Sequence, residues 1–201
     1  MFDSSALVTD PHTDEPSLAI ASVNALIALM LHDLISPFTA LSMGCEMMQD
    51  QTHQEQMLPI MLEANENLRA RFEYLRCLFS PTASMPPASY HKMIRDYVKS
   101  YRHIDFSCDD FEHPWPTSHY RLLMLATLWV LKQLNTIKTL HISLNASSAY
   151  IKGDALAKPF GHEKALVKHL EAFFHVQLRE NNVSFERDQA IQNCWHMHFS
   201  V

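Results

Sequence analysis

The residues with the most chemical capacity in this 201-residue chain form one run, Leu31-His32-Asp33-Leu34-Ile35-Ser36-Pro37-Phe38. At helical spacing, His32, Ser36, Thr39, Glu46 and Asp50 share a polar stripe broken only by Met43. Leu31, Leu34, Ile35, Phe38, Leu41, Cys45 and Met48 form an apolar stripe beside it. A histidine buried by packing belongs on the apolar stripe, and His32 is not there. An exposed imidazole on a rigid helix suits nucleophilic work, because its free nitrogen can attack phosphorus and later leave. Asp33 stands where it could orient the ring or assist proton movement, and Ser36 where it could bond a phosphoryl oxygen or a water. Phosphoryl transfer also needs a divalent cation. No metal cage surrounds His32 in the sequence, so a partner is expected to bring Mg²⁺. Arg69, Arg71 and Arg76 could attract a phosphorylated acidic partner, although outward arginines on a helix are usually just solvated.

Other constellations are weaker. His196 and His198 put two imidazoles on one strand face, a conceivable metal pair. The alternation with Trp195, Met197 and Phe199 reads more simply as an exposed face. His162, His169 and His175 have no ligand-like spacing with a cysteine, and the eleven methionines read as core filler.

These groups must be held by a mixed α+β chain. Residues 1–16 are polar and read as a tail. Residues 17–50 and 57–79 read as two long helices joined by a short polar connection, a helical hairpin. In the first, Pro37 removes the N–H that would bond the Asp33 carbonyl, so a bend or loosening is expected there. In the second, Met61, Leu68, Phe72, Leu75 and Phe79 mark the expected buried side. A hairpin cannot cover so wide an apolar stripe, which predicts a homodimer closing a four-helix bundle. The domain reading is thus 17–80 for the hairpin, 81–90 for a proline-rich linker, and 91–201 for an α/β sandwich. Alternating runs at 140–144, 149–151, 183–185 and 195–201 give strands, and 118–135 and 162–179 give helices. Helices layered on a mostly antiparallel sheet are expected.

Composition narrows the partners. Net charge is −6 with no basic block, which argues against nucleic acid and anionic membrane. No basic segment precedes an apolar one as in a signal peptide. The run Leu18–Leu31 is shorter than the roughly 20 residues of a membrane span and contains Asn24. Cys45, Cys77, Cys108 and Cys194 are widely spaced, as expected in a reducing cytoplasm.

The box His32-Asp33-Leu34-Ile35-Ser36-Pro37 resembles the H-[DE]-x-x-[STN]-P box of sensor histidine kinases. The resemblance implies His32 as phosphoacceptor, Asp33 as its acidic catalytic neighbour and Ser36 as the residue that positions hydrolytic water. The hairpin resembles that family's dimerisation domain, and residues 91–201 follow the order of its Bergerat-type ATP-binding domain. The departures lie in the nucleotide site. Ser118–Leu134 contains no asparagine to hold Mg²⁺, and Asn135 comes only at its end. Gly153-Asp154-Ala155-Leu156 is the nearest remnant of a D-x-G-x-G, and with three glycines in all there is no glycine-rich lid.

A phosphoacceptor dimer with a dead nucleotide site resembles the ChpT-type histidine phosphotransferases. That likeness implies a relay from the receiver domain of a hybrid histidine kinase (CckA-like) to response regulators (CtrA-like). It implies no cofactor of the chain's own, no ATP binding, and Mg²⁺ supplied by the receiver. It places Ile35, Pro37, Thr39 and Met43 on the receiver-docking surface. Two other readings stay open: a divergent ATP-dependent histidine kinase, and a non-catalytic dimeric adaptor in which His32 is incidental.

Overall fold

The computed structural model describes residues 15–49, 54–80, 84–101, 104–109, 115–134, 137–155, 164–188, 191 and 193–199. The tail at 1–14 and the hairpin connection at 51–53 lie outside these residues. Among the described residues the chain builds five helices and five strands. They are α1 (Glu15–Met47), α2 (Gln54–Phe79), α3 (Pro87–Lys99), β1 (Asp105–Asp109), α4 (Thr117–Gln133), β2 (Ile137–Leu144), β3 (Ser148–Ala155), α5 (Lys164–Glu180), β4 (Val183–Arg187) and β5 (Cys194–Phe199). The expectation of an α+β chain holds at that level.

α1 and α2 pack against each other as the expected hairpin. Gly44 lets them approach, because a Cβ there would run into the Met61 side chain. Which side of α1 is buried differs from the sequence pattern. Leu26, Leu29, Asp33, Pro37 and Gly44 are the covered positions, while Leu31, Ile35 and Phe38 stand 56%, 59% and 61% exposed. The covered stripe carries an acid, a proline and a glycine, so it does not read as apolar. On α2 the covered side is Ala64, Arg71, Tyr74, Leu75, Cys77 and Leu78, and Phe72, expected inside, is exposed. Pro59 falls in the second turn of α2 rather than the first, since the helix already begins at Gln54.

α3 starts at Pro87, inside the stretch read as linker, with proline in the first turn where no intrahelical N–H is required. Its Tyr90, Ile94, Tyr97 and Val98 recur at helical spacing and are buried. α4 is buried on nearly every side, from Tyr120 to Lys132, and forms the centre of the molecule.

The sheet runs β1-β2-β3-β5-β4, with β1 and β2 parallel across the α4 crossover and all other pairs antiparallel. Asn145 makes the β2–β3 turn by accepting bonds from the Ser147 and Ser148 N–H groups at 3.0 and 2.8 Å. Leu140, Ile142, Leu144, Ala149, Ile151, Trp195, Met197 and Phe199 alternate onto the core face. Trp129 of α4 packs there edge-on against Trp195 and Phe185, with ring centroids 5.6 Å away in each case.

By length and composition Leu26–Met47 passes as a membrane span, a longer window than the run read from the sequence. A core helix can have the same length and composition. Here α1 packs on α2 and α5, and Asp33, in the middle of that window, pairs with Lys132.

Candidate functional site

One helical turn separates two pairs of residues on α1. His32 and Ser36 are exposed; Asp33 and Pro37, each one position further on, are buried against the α/β layer. The helix thereby sorts the box into an accessible half and an anchoring half. His32 and Ser36 line the mouth of a cleft of about 630 Å³ between the hairpin and the α/β layer, with Asn67, Arg71, Tyr101 and Lys132 on its walls.

Asp33 is 3% exposed and turns its carboxylate to the α/β layer. Lys132, in the last turn of α4, forms an ion pair with Oδ1. Tyr97 and Tyr101 donate their hydroxyls to Oδ2 at 2.7 and 3.1 Å. A buried carboxylate is tolerated when paired and hydrogen-bonded, and both conditions are met. The Tyr97 ring stacks on Tyr74 at 3.8 Å, and Tyr74 in turn donates its hydroxyl to the Met124 carbonyl at 2.5 Å. One chain of contacts thus ties α1 to α2, α3 and α4. Burial, the neighbouring phenol and the Asp33 charge push the Tyr97 phenol well above its ordinary pKa, and burial followed by Asp33 raises Tyr101.

Arg71 completes the anchor. Pro37 has no N–H to give the Asp33 carbonyl, and the Arg71 Nη1 donates to that oxygen at 2.7 Å. The same guanidinium bonds Ser100 Oγ through Nε and the Ser100 carbonyl through Nη2, both at 3.0 Å, and lies over the Tyr101 ring at 4.3 Å. α1 continues as helix through Pro37 rather than breaking. Arg71 is 8% exposed, so the reading of a solvated outward arginine is corrected. The signal was present in the sequence. A proline inside a helix frees one carbonyl, and a freed, buried carbonyl requires a donor.

Of the expected docking residues, Ile35, Thr39 and Met43 are exposed along α1 within about three turns of His32, whereas Pro37 is buried on the cleft wall. Gly153, the remnant of the glycine motif, lies inside β3 opposite Leu140. A Cβ at Gly153 would meet Leu134 Cδ1 at 2.6 Å, so α4 side chains cover the glycine face. His196 and His198 lie on one face with their rings parallel and centroids 6.1 Å apart; His198 is exposed, and His196 bonds Asp188.

No protein-family model matches the chain, and no curated protein matches it. Among solved structures it is similar to one described as a bacterial phosphotransferase, with a TM-score of 0.69 and 16% sequence identity. The likeness covers 89% of this chain and 95% of that one, so it takes in hairpin and α/β layer together. Identity this low shows a shared fold. The chain shares the overall architecture of that structure.

Proposed function

We propose that the chain is a histidine phosphotransferase that relays a phosphoryl group between receiver-domain aspartates of a hybrid histidine kinase and of response regulators. The observation that carries this reading is the exposed His32–Ser36 pair on a helix locked from behind, within a fold shared with a phosphotransferase. A free imidazole nitrogen of His32 attacks the phosphorus of an aspartyl phosphate. A P–N bond forms, the P–O bond to the receiver breaks, and the aspartate leaves as carboxylate. Attack by a second aspartate reverses these changes and returns the imidazole. Mg²⁺ carried by the receiver offsets the charge on the phosphoryl oxygens. Ser36, one turn away, offers a hydroxyl to a phosphoryl oxygen or to water. Asp33 acts chiefly by position: its bonds to Lys132, Tyr97 and Tyr101 set the rotation of α1 and so the direction His32 faces.

Thr39 and Met43 carry the exposed surface of α1 onward from His32 over about three turns, where a receiver would cover it. The apolar stripe of Leu31, Ile35 and Phe38, with Leu58, Leu62 and Phe72 of α2, supports a homodimer, since six large apolar groups on two helices are left in water.

The test is a radiolabel transfer assay with the purified chain. Label should pass from a phosphorylated hybrid kinase to the chain and on to a receiver, and His32→Gln should take none. Label taken directly from ATP would make the protein a kinase. No label from any kinase, with partner binding intact in His32→Gln, would make it an adaptor.

A further inference from the structure

A second cluster of chemically capable side chains lies on the sheet, away from His32. β4 ends at Arg187 and β5 begins at Cys194. Asp188 follows β4 and stays in register, its N–H donating to the Cys194 carbonyl at 2.9 Å. Cys194 and His196 are two apart on β5 and point to the same face. All three side chains converge on one point. His196 Nε2 is 3.1 Å from Asp188 Oδ2 and 3.9 Å from Cys194 Sγ, and the three ligand atoms lie within 4.8 Å of one another.

We propose that Asp188, Cys194 and His196 bind a single borderline-soft divalent cation, zinc by the nature of the donors, which clips the β4–β5 connection. A thiolate, an imidazole and a carboxylate form a mixed set that zinc accepts in tetrahedral geometry. At Zn–S of about 2.3 Å and Zn–N of about 2.0 Å, sulfur and nitrogen sit roughly 3.5 Å apart. Closing the observed 3.9 Å to that value takes a small rotamer adjustment. Charges balance: one thiolate and one carboxylate neutralise the dication, with His196 neutral. Binding releases the Cys194 thiol proton, and the imidazole carries its remaining proton on Nδ1, leaving Nε2 free for the metal. The fourth position falls to water.

Cys194 is fully buried. Tyr150 pairs with His196 in the β3–β5 register, and its ring lies edge-on to the imidazole with centroids 5.0 Å apart. A ring packed against a metal ligand helps hold that ligand in place. The location gives the cation a structural task, since β4 is the edge strand of the sheet and is paired on one side by β5 alone.

Tag-free full-length protein, stripped with chelator, would be titrated with Co²⁺ and then with Zn²⁺. The expected result is one Co²⁺ per chain, a thiolate-to-cobalt charge-transfer band, intense tetrahedral d–d bands, and displacement by Zn²⁺. Cys194→Ser should lose the charge-transfer band, while Cys108→Ser and His198→Gln should keep it. Tyr150→Ala should weaken binding by about 10–100-fold, and Asp188→Asn or His196→Gln by more than that. Zn²⁺ should raise the melting temperature of the wild type but not of Asp188→Asn, a variant at a partly exposed position that remains informative if Cys194→Ser fails to fold. Absence of a thiolate band in the wild type, or wild-type affinity in both Asp188→Asn and His196→Gln, would overturn the site.

Discussion

His32 and Asp33 are neighbours in sequence and opposites in environment. His32 is exposed and can be replaced without disturbing the core. We therefore expect His32→Gln to abolish phosphotransfer while shifting stability by no more than about 0.5 kcal/mol, as is usual for surface positions. Asp33 is the reverse case. Asp33→Asn keeps the shape but takes the counter-charge from buried Lys132, a change that costs about 3–5 kcal/mol when one partner of a buried pair is lost. Denaturant melts would show this as a lower midpoint at unchanged slope. If Asp33→Asn unfolds no more easily than wild type while transfer collapses, Asp33 works on the imidazole and not as an anchor. The phenols around it give a pH signature. Tyr97 and Tyr101 titrate higher in the fold than the ordinary value of 10.0, so folding favours their protonated forms. Their contribution is fully present below pH 10 and falls as pH rises from there through the folded values, because the unfolded chain releases those protons first. Tyr97→Phe should flatten that alkaline loss of stability, measured as melting temperature against pH.

At the scale of elements, a proline and an arginine on different helices depend on each other. Pro37 frees the Asp33 carbonyl, and Arg71 takes it up. Arg71→Met should therefore cost more in the native chain than in a Pro37→Ala background, where the introduced alanine supplies the missing N–H. A double-mutant cycle should return a coupling of about 0.5–3 kcal/mol. Part of the single-mutant cost should persist in both backgrounds, because Ser100 also loses its guanidinium bonds. A coupling of zero would mean that water satisfies the carbonyl. This pair also shows how far the sequence could be read. The hairpin, the strand alternation and the order of elements were legible because each rests on local periodicity, and Leu140, Ile142 and Leu144 alternate in structure as they do in sequence. The covered stripe of α1 was not legible. Asp33, Pro37 and Gly44 are buried for reasons that belong to residues far along the chain, namely Lys132, Arg71 and Met61. Periodicity records how apolar a face is, and this face is held by polar bonds and close approach. The cation cluster escaped for a related reason: its aspartate precedes its histidine by eight residues across a strand connection, which no single-strand spacing displays.

For the whole molecule, the exposed stripe of α1 leads to the strongest expectation about assembly. The apolar stripe with Leu31, Ile35 and Phe38 on it, too wide for one hairpin to cover, is the one that the single chain leaves in water. Leu58, Leu62 and Phe72 continue the problem on α2. So regular an apolar stripe, left uncovered, would be an aggregation-prone surface. In the proposed homodimer a second hairpin would supply a matching stripe and complete a four-helix bundle. Light scattering on the purified chain should give twice the mass of 23.2 kDa. Phe38→Glu would place a charge at the bundle centre and should weaken the dimer by more than about 2 kcal/mol, roughly thirtyfold in Kd. Because Phe38 makes no part of the Asp33 anchor, the variant should keep its helical content and its melting cooperativity while running as a monomer at low concentration. Phosphotransfer by that monomer is the informative readout. If the receiver docks on one protomer's Thr39 and Met43, the monomer retains transfer at a reduced rate. If it loses transfer entirely while still folded, the docking surface for the receiver is shared between two chains.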